Sequence, residues 1–230
     1  MFLFRQFFNN AQREATKDAA KLAGLNVLQL INGATAAAIA SCLAEAKTEE
    51  GVGINVLVLD LGGSSLNVSI VNLVRGVFQV MGTACDPHLG GRDFDSRLVD
   101  YAINEIKAQH GRDFSDDKKF LRKLKTECER AKMSLSGVES AEIVFELDDE
   151  EEKVSITLNK FDELCSDLFQ RTIDLARCVL KDARMEIGAI HHVIQAGSGG
   201  AIKIYSLLQV CSQVIEGMLL NVITVNVISR

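Results

Sequence analysis

The chain has 230 residues, 47% of them hydrophobic, with 25 basic and 31 acidic side chains and a formal charge of −6. This length and apolar content support a packed core and exclude a disordered chain. The acidic, evenly mixed charge offers no basic stripe for a nucleic-acid partner.

Six cysteines, at 42, 85, 128, 165, 178 and 211, never fall at CxxC spacing, so they read as reduced core thiols in the cytoplasm. The opening "MFLFRQFF" is broken by Arg5 and has no small-residue cleavage site, unlike a signal peptide. The apolar tail "GMLLNVITVNVIS" is shorter than the roughly 20 residues that span a bilayer, so no membrane segment is expected.

In chain order, Asn10 can cap a helix over "AQREATKDAAKLA", which Gly24 ends. "NVLQLI" (26–31) reads as a buried strand, and Thr35 can cap a second helix, "AAAIASCLAEAK". "INVLVLD" is a continuous apolar strand and "LNVSIVN" an alternating one, joined by a glycine-bearing tip over 61–65. "GVFQVMGT" adds a third strand. Two helical stretches follow from Asp93, then two short strands around "DDEEE", then a long helical stretch over 159–183. "IHHVIQAGSGGAIKIYSLLQV" reads as strand, glycine loop and helix.

Four motifs can carry chemistry. The tip "DLGGSS" can turn backbone N–H groups of Gly62 and Gly63 and hydroxyls of Ser64 and Ser65 on one anion, with Asp60 ordering a metal's water shell. A plain Gly-Gly hairpin has the same letters, and no Walker motif exists in the chain. "AGSGG" suits close backbone approach to a nucleotide at a helix start, or an ordinary strand-to-helix turn. Glu129, Lys132, Met133 and Ser136 share one helix face that can read a ribose and a base edge, or is a solvated face with a Glu129–Lys132 pair. "HLGGRDFD" is good helix-start chemistry. The neighbouring His191 and His192 point to opposite strand faces, so no metal ligands are assigned.

The order of "NNAQREATKDAAKLAGLNVLQLIN", "TAAAIA", "DLGG", "HLGGRDFDSRLV", "ECERAKMSLS", "KFDELCSDLF" and "AGS" closely resembles the nucleotide-binding domain of the seventy-kilodalton heat-shock chaperones, the DnaK-like family. The resemblance runs from about Phe8 to about Gln209. It implies an α/β, actin-like ATPase (ribonuclease H-like) fold, mainly the second lobe with part of the first. Residues 1–50 would be a remnant of the first lobe, 51–89 and 168–209 the base of the second, 90–167 its upper subdomain and 210–230 a divergent tail. It implies ATP or ADP with Mg as cofactor, co-chaperones as partners, and an ATP-dependent protein-folding role. By the same resemblance, Gly62 to Ser65 are a phosphate loop, Glu129, Lys132 and Ser136 the adenosine helix, and Gly197 and Ser198 the adenosine loop.

The chain also departs from the family's pattern. "INEPTAAA" reads "INGATAAA", so Gly33 stands where a catalytic-site glutamate belongs. "DLGGGTFDVS" reads "DLGGSSLNVS", with Asn67 in place of an aspartate on the ion side. Met133 and Gly200 replace arginines of the adenosine site. The family's first phosphate loop, catalytic lysine and peptide-binding domain have no counterpart in these residues. The resulting expectation is weak or lost nucleotide binding and impaired hydrolysis. The alternative is a truncated, catalytically dead paralogue that acts as a partner-binding module or has no function.

Overall fold

A computed structural model describes residues 2–4, 8–42, 53–147, 150–197 and 221–224 of the chain. The first helix, α1 (Asn10–Leu22), is opened by Asn9 rather than Asn10. The Asn9 side chain accepts from the Gln12 N–H, and the Gln12 side chain accepts from the Asn9 N–H, each at 2.9 Å. This reciprocal pair satisfies two donors that a helix start leaves open.

The strand expected over 26–31 is shorter and later. β2 (Leu30–Asn32) pairs in parallel with β1 (Phe2–Phe4), and Leu28 is 83% exposed. An apolar run becomes strand only where a partner edge reaches it, and β1 has three residues to offer. Asn32, not Thr35, caps α2 (Gly33–Cys42), its side chain accepting from the Ala34 N–H at 3.0 Å.

The main sheet has the order β5-β4-β3-β8-β9. β3 (Ile54–Leu61), β4 (Leu66–Val74) and β5 (Val77–Asp86) form an antiparallel meander. β8 (His192–Ala196) runs parallel to β3, and β9 (Asn221–Thr224) parallel to β8. The continuous apolar run of β3 reflects burial on both faces. Val56 and Val58 pack with Ala34, Ala37 and Ala38 of α2, and Leu57, Leu59 and Leu61 join the larger core on the other side. The tail run "NVITVNVIS", an aggregation hazard if unpaired, places its first four residues in the sheet as β9. The rest of it lies outside the described residues.

The larger core is closed by α3 (Gly91–His110), α4 (Lys118–Leu135), the hairpin β6 (Ser140–Leu147) and β7 (Glu150–Thr157), α5 (Leu158–Leu164) and α6 (Ser166–Asp182). The single long helix expected over 159–183 breaks at Cys165, which ends α5 and starts α6 with φ −109°. The break brings the Phe161 and Phe169 rings within 6.2 Å. Eight residues of unbroken helix would separate them by about 12 Å along the axis. Phe94 of α3 packs on both, with centroids 6.3 and 5.3 Å away. Among the described residues, Cys85, Cys128, Cys165 and Cys178 are free thiols, and no helix is long and apolar enough to cross a membrane.

Candidate functional site

The tip between β3 and β4 is the four residues 62–65. The Gly62 N–H closes the turn on the Ser65 carbonyl at 2.8 Å. The Gly62 and Gly63 carbonyls accept from the N–H groups of Gly91 and Arg92, both at 2.9 Å, so the first turn of α3 holds the loop by its acceptors. A trans peptide sets C=O and the next N–H on opposite sides. The Gly63 and Ser64 N–H groups therefore face away from α3, and neither makes a hydrogen bond among the described residues. Contact with α3 is intimate: a Cβ on Gly90 would meet the Ser64 backbone nitrogen, and would lie 2.5 Å from Ser64 Cα.

Asp60, the last but one residue of β3, sits at the centre of the neighbouring elements. It shares the α2 face of the sheet with Val56 and Val58. Its Oδ2 lies 3.4 Å from where a Gly33 Cβ would stand and accepts from Asn67 Nδ2 at 3.4 Å. Its Oδ1 is 2.8 Å from where a Gly197 Cβ would stand. Gly197 has φ +104°, and any side chain there would also strike the Leu61 carbonyl oxygen, so only glycine brings β8's end this close to β3. Asn67 is in register with Asp60, and Cys85 with Asn67, so the three form a row across adjacent strands. Burial raises the Asp60 pKa above its ordinary range, with the Asn67 hydrogen bond pulling it down. The Cys85 thiol is pushed up to about 11 by burial and by the nearby Asp86 and Asp60 carboxylates.

On α4, Glu129 is exposed and Met133 is 47% exposed, while Lys132 is buried. The Lys132 ammonium pairs with Asp95 of α3 at 2.6 Å and donates to the Gly91 carbonyl at 3.2 Å. Glu129 and Lys132 do not form the pair that a solvated stripe would show; the lysine turns inward. Burial raises the Asp95 pKa, Lys132 lowers it, and Glu129 raises it. Ser136, half-buried, caps the end of α4.

The structure thus brings Asp60, Gly62, Gly63, Ser64, Ser65 and Gly197 to one end of the sheet, with Lys132 linked to the loop through Gly91. Ser198 and Gly200 lie outside the described residues. Sequence reasoning missed Arg92, Cys85 and the Asp95 partner of Lys132. The last has no local signal, because the pair lies 37 positions apart in the chain.

The loop suits phosphate: among the described residues two of its N–H groups and the Ser64 and Ser65 hydroxyls make no hydrogen bond, and glycine stands at 62 and 63. The neighbourhood suits Mg poorly. One carboxylate, Asp60, is present, an amide donor is aimed at it, and no three His, Cys, Asp or Glu side chains converge among the described residues.

A mixed sheet flanked by helices, ending in this glycine loop, is part of an actin-like ATPase fold. A profile of the family described as Hsp70 protein matches residues 5–217. The chain is 44% identical over 215 residues to "Heat shock 70 kDa protein 2" of Paracoccidioides lutzii, covering 92% of this chain and 32% of that protein. It is 45% identical over 207 residues to "Heat shock 70 kDa protein" of Penicillium citrinum, covering 88% of this chain and 40% of that protein. It is 46% identical over 196 residues to human "Putative heat shock 70 kDa protein 7", covering 83% of this chain and 52% of that protein. The chain belongs to the Hsp70 family, and it spans a third to a half of the length of these relatives.

Proposed function

We propose that the chain is the nucleotide-binding part of an Hsp70-type, ATP-dependent chaperone, holding ATP or ADP with impaired hydrolysis. The observation that carries this reading is the 62–65 loop. Its Gly62 and Gly63 carbonyls are spent on α3, and its Gly63 and Ser64 N–H groups would be left as an anion-facing pair beside Asp60 and Gly197. The base of the second lobe would be 51–89 and 168–209, the upper subdomain 90–167, and 1–50 the remnant of the first lobe. Glu129 and Ser136 would face the adenosine, Lys132 would hold α4 to the loop's helix, and Ser198 would complete the adenosine loop. Co-chaperones are the partners that family membership favours, and a reducing cytoplasm suits the free thiols.

Impaired hydrolysis rests on two side chains. Phosphoryl transfer proceeds by positioning and charge neutralisation. Gly33 puts no carboxylate beside Asp60, and neutral Asn67 attracts a cation less than an aspartate would. The same two residues favour a second reading, a catalytically dead paralogue that serves as a partner-binding module.

Calorimetric titration of the folded chain with ATP and ADP, in Mg and in EDTA, together with a phosphate-release assay, tests both readings. Nucleotide binding without phosphate release is the expected result. A Kd below about 10 μM (roughly −7 kcal/mol) removes the dead-paralogue reading. No heat from a folded chain under either condition removes the nucleotide reading.

A further inference from the structure

We infer that Arg92 supplies the positive charge for a polyphosphate seated on the 62–65 loop, so that this chain holds the anion without a divalent cation. The inference deepens the nucleotide reading above and rests on the same loop.

Arg92 is the second residue of α3, and its own N–H binds the Gly63 carbonyl at 2.9 Å. That bond ties its backbone to the loop tip. The Nε lies 4.0 Å from where a Gly63 Cβ would stand, so the absent side chain leaves the guanidinium beside the loop backbone. Arg92 is exposed, and its side chain has no hydrogen bond or ion pair among the described residues. The contrast with its neighbours is clear. Arg97 is tied to Asp167 and Arg171 to Asp86, each at 2.6 Å.

The acids nearest in sequence are already engaged. Asp93 accepts from the Gly90 N–H at 2.7 Å, and Asp95 pairs with Lys132 at 2.6 Å. Asp95 is matched by Lys132, Asp93 keeps its charge at the helix start, and neither pairs with Arg92 among the described residues. The Gly63 and Ser64 N–H groups supply direction for an anion but no net charge, and a polyphosphate needs both. Magnesium ordinarily brings that charge through one or two carboxylates and ordered waters. Here that side offers Asp60 with the Asn67 amide aimed at it. Arg92 stands at the loop itself, and a guanidinium binds phosphate oxygens in a fork of two hydrogen bonds.

The test is titration of the whole chain with inorganic tripolyphosphate and with ATP, each in EDTA and in Mg, for the wild type, Arg92→Ala and Arg92→Lys. A thermal melt of each variant confirms folding, which an exposed, unpartnered side chain should not disturb. Both anions should bind in EDTA, Arg92→Ala should weaken both about tenfold or more, Arg92→Lys should retain part of the affinity, and Mg should add little. Equal affinity in Arg92→Ala and wild type overturns the inference, as does binding that appears only with Mg. Arg92-dependent tripolyphosphate binding without ATP binding upholds the inference and removes the nucleotide reading. ATP binding that ignores Arg92 does the reverse, and binding of neither anion removes both.

Discussion

Lys132 of α4 and Asp95 of α3 pair at 2.6 Å with the lysine side chain 4% and the aspartate 18% exposed. The same ammonium bonds the Gly91 carbonyl, and the Gly91 N–H bonds the Gly62 carbonyl. One lysine therefore fixes two helices and, through the single residue Gly91, the 62–65 loop. Lys132→Met leaves a largely buried carboxylate without its partner. Breaking a buried pair costs about 3–5 kcal/mol, and the partial exposure of Asp95 puts this one near the lower end. Urea denaturation should show that loss, and Lys132→Met with Asp95→Leu should recover much of it.

Gly90 is extended, with φ −151°, so alanine there meets no torsional objection. Its Cβ would nonetheless collide with the Ser64 backbone. Gly90→Ala should cost about 1–3 kcal/mol, the usual range for overpacking, read from the denaturation midpoint. It should also weaken tripolyphosphate binding, because relief of the clash moves the loop.

Asp60 holds its proton more tightly in the folded chain than its ordinary value of 3.8 implies, because it is buried. Its contribution to stability is complete below the unfolded value and is lost as pH rises through the folded one. Asp60→Asn removes that pH-dependent loss. The variant should melt higher than wild type at pH 7, by about 2–4 °C for each kcal/mol gained, and match it near pH 3. Melts across pH 3–8 check the sign.

Gly33→Glu with Asn67→Asp places two carboxylates beside Asp60. Like charges a few ångströms apart should cost roughly 1–4 kcal/mol of stability at pH 7. The gain is a site for a hard cation. Mg should then strengthen ATP binding by about tenfold where it adds little to the wild type, as titration in Mg and in EDTA would show.

Cys85, with its pKa pushed up to about 11 by burial and by Asp86 and Asp60, stays a thiol at neutral pH. Iodoacetamide at pH 7.5 should label exposed Cys178 several times faster, as followed by peptide mass spectrometry. Asp60→Asn should speed Cys85 labelling, because one of the charges that holds the proton is gone.

Cys85 also marks where the sequence stops being legible. The hairpin β3–β4 could be read from "INVLVLDLGGSSLNVSIVN", and its register sets Asn67 opposite Asp60. Counting back from the Val74–Val77 turn would put Ala84 opposite Asn67. A bulge between Ile70 and Val71 adds one residue to β5 and brings Cys85 there instead. Letters carry alternation but not a single inserted residue, so this side chain's face was hidden. Lys132 and Asp95 were hidden differently. Each sits in a helix whose own pattern is clear, but which polar residue turns inward depends on how the two helices cross. The mixed α/β fold, the meander and the glycine loop were local, and the sequence disclosed them, while the helix caps fell one to three residues earlier than the letters suggested, at Asn9 and Asn32. Where an end failed, as at 26–31, the missing knowledge was the length of a partner strand.

The parallel pairing of β3 with β8 has a consequence in time. The Asn55 N–H bonds His191 Nδ1 136 positions along the chain, whereas β6 and β7 pair residues as near as Leu147 and Glu150. Loop closure must be met before a distant pairing rewards it, and contacts of high sequence separation form slowly. The α4–β6–β7 unit and the β3–β4–β5 meander can gather early from near neighbours, and docking of β8 comes late. Asp60 and Gly197 meet only through that docking, so the site should assemble late on folding and open when β8 leaves.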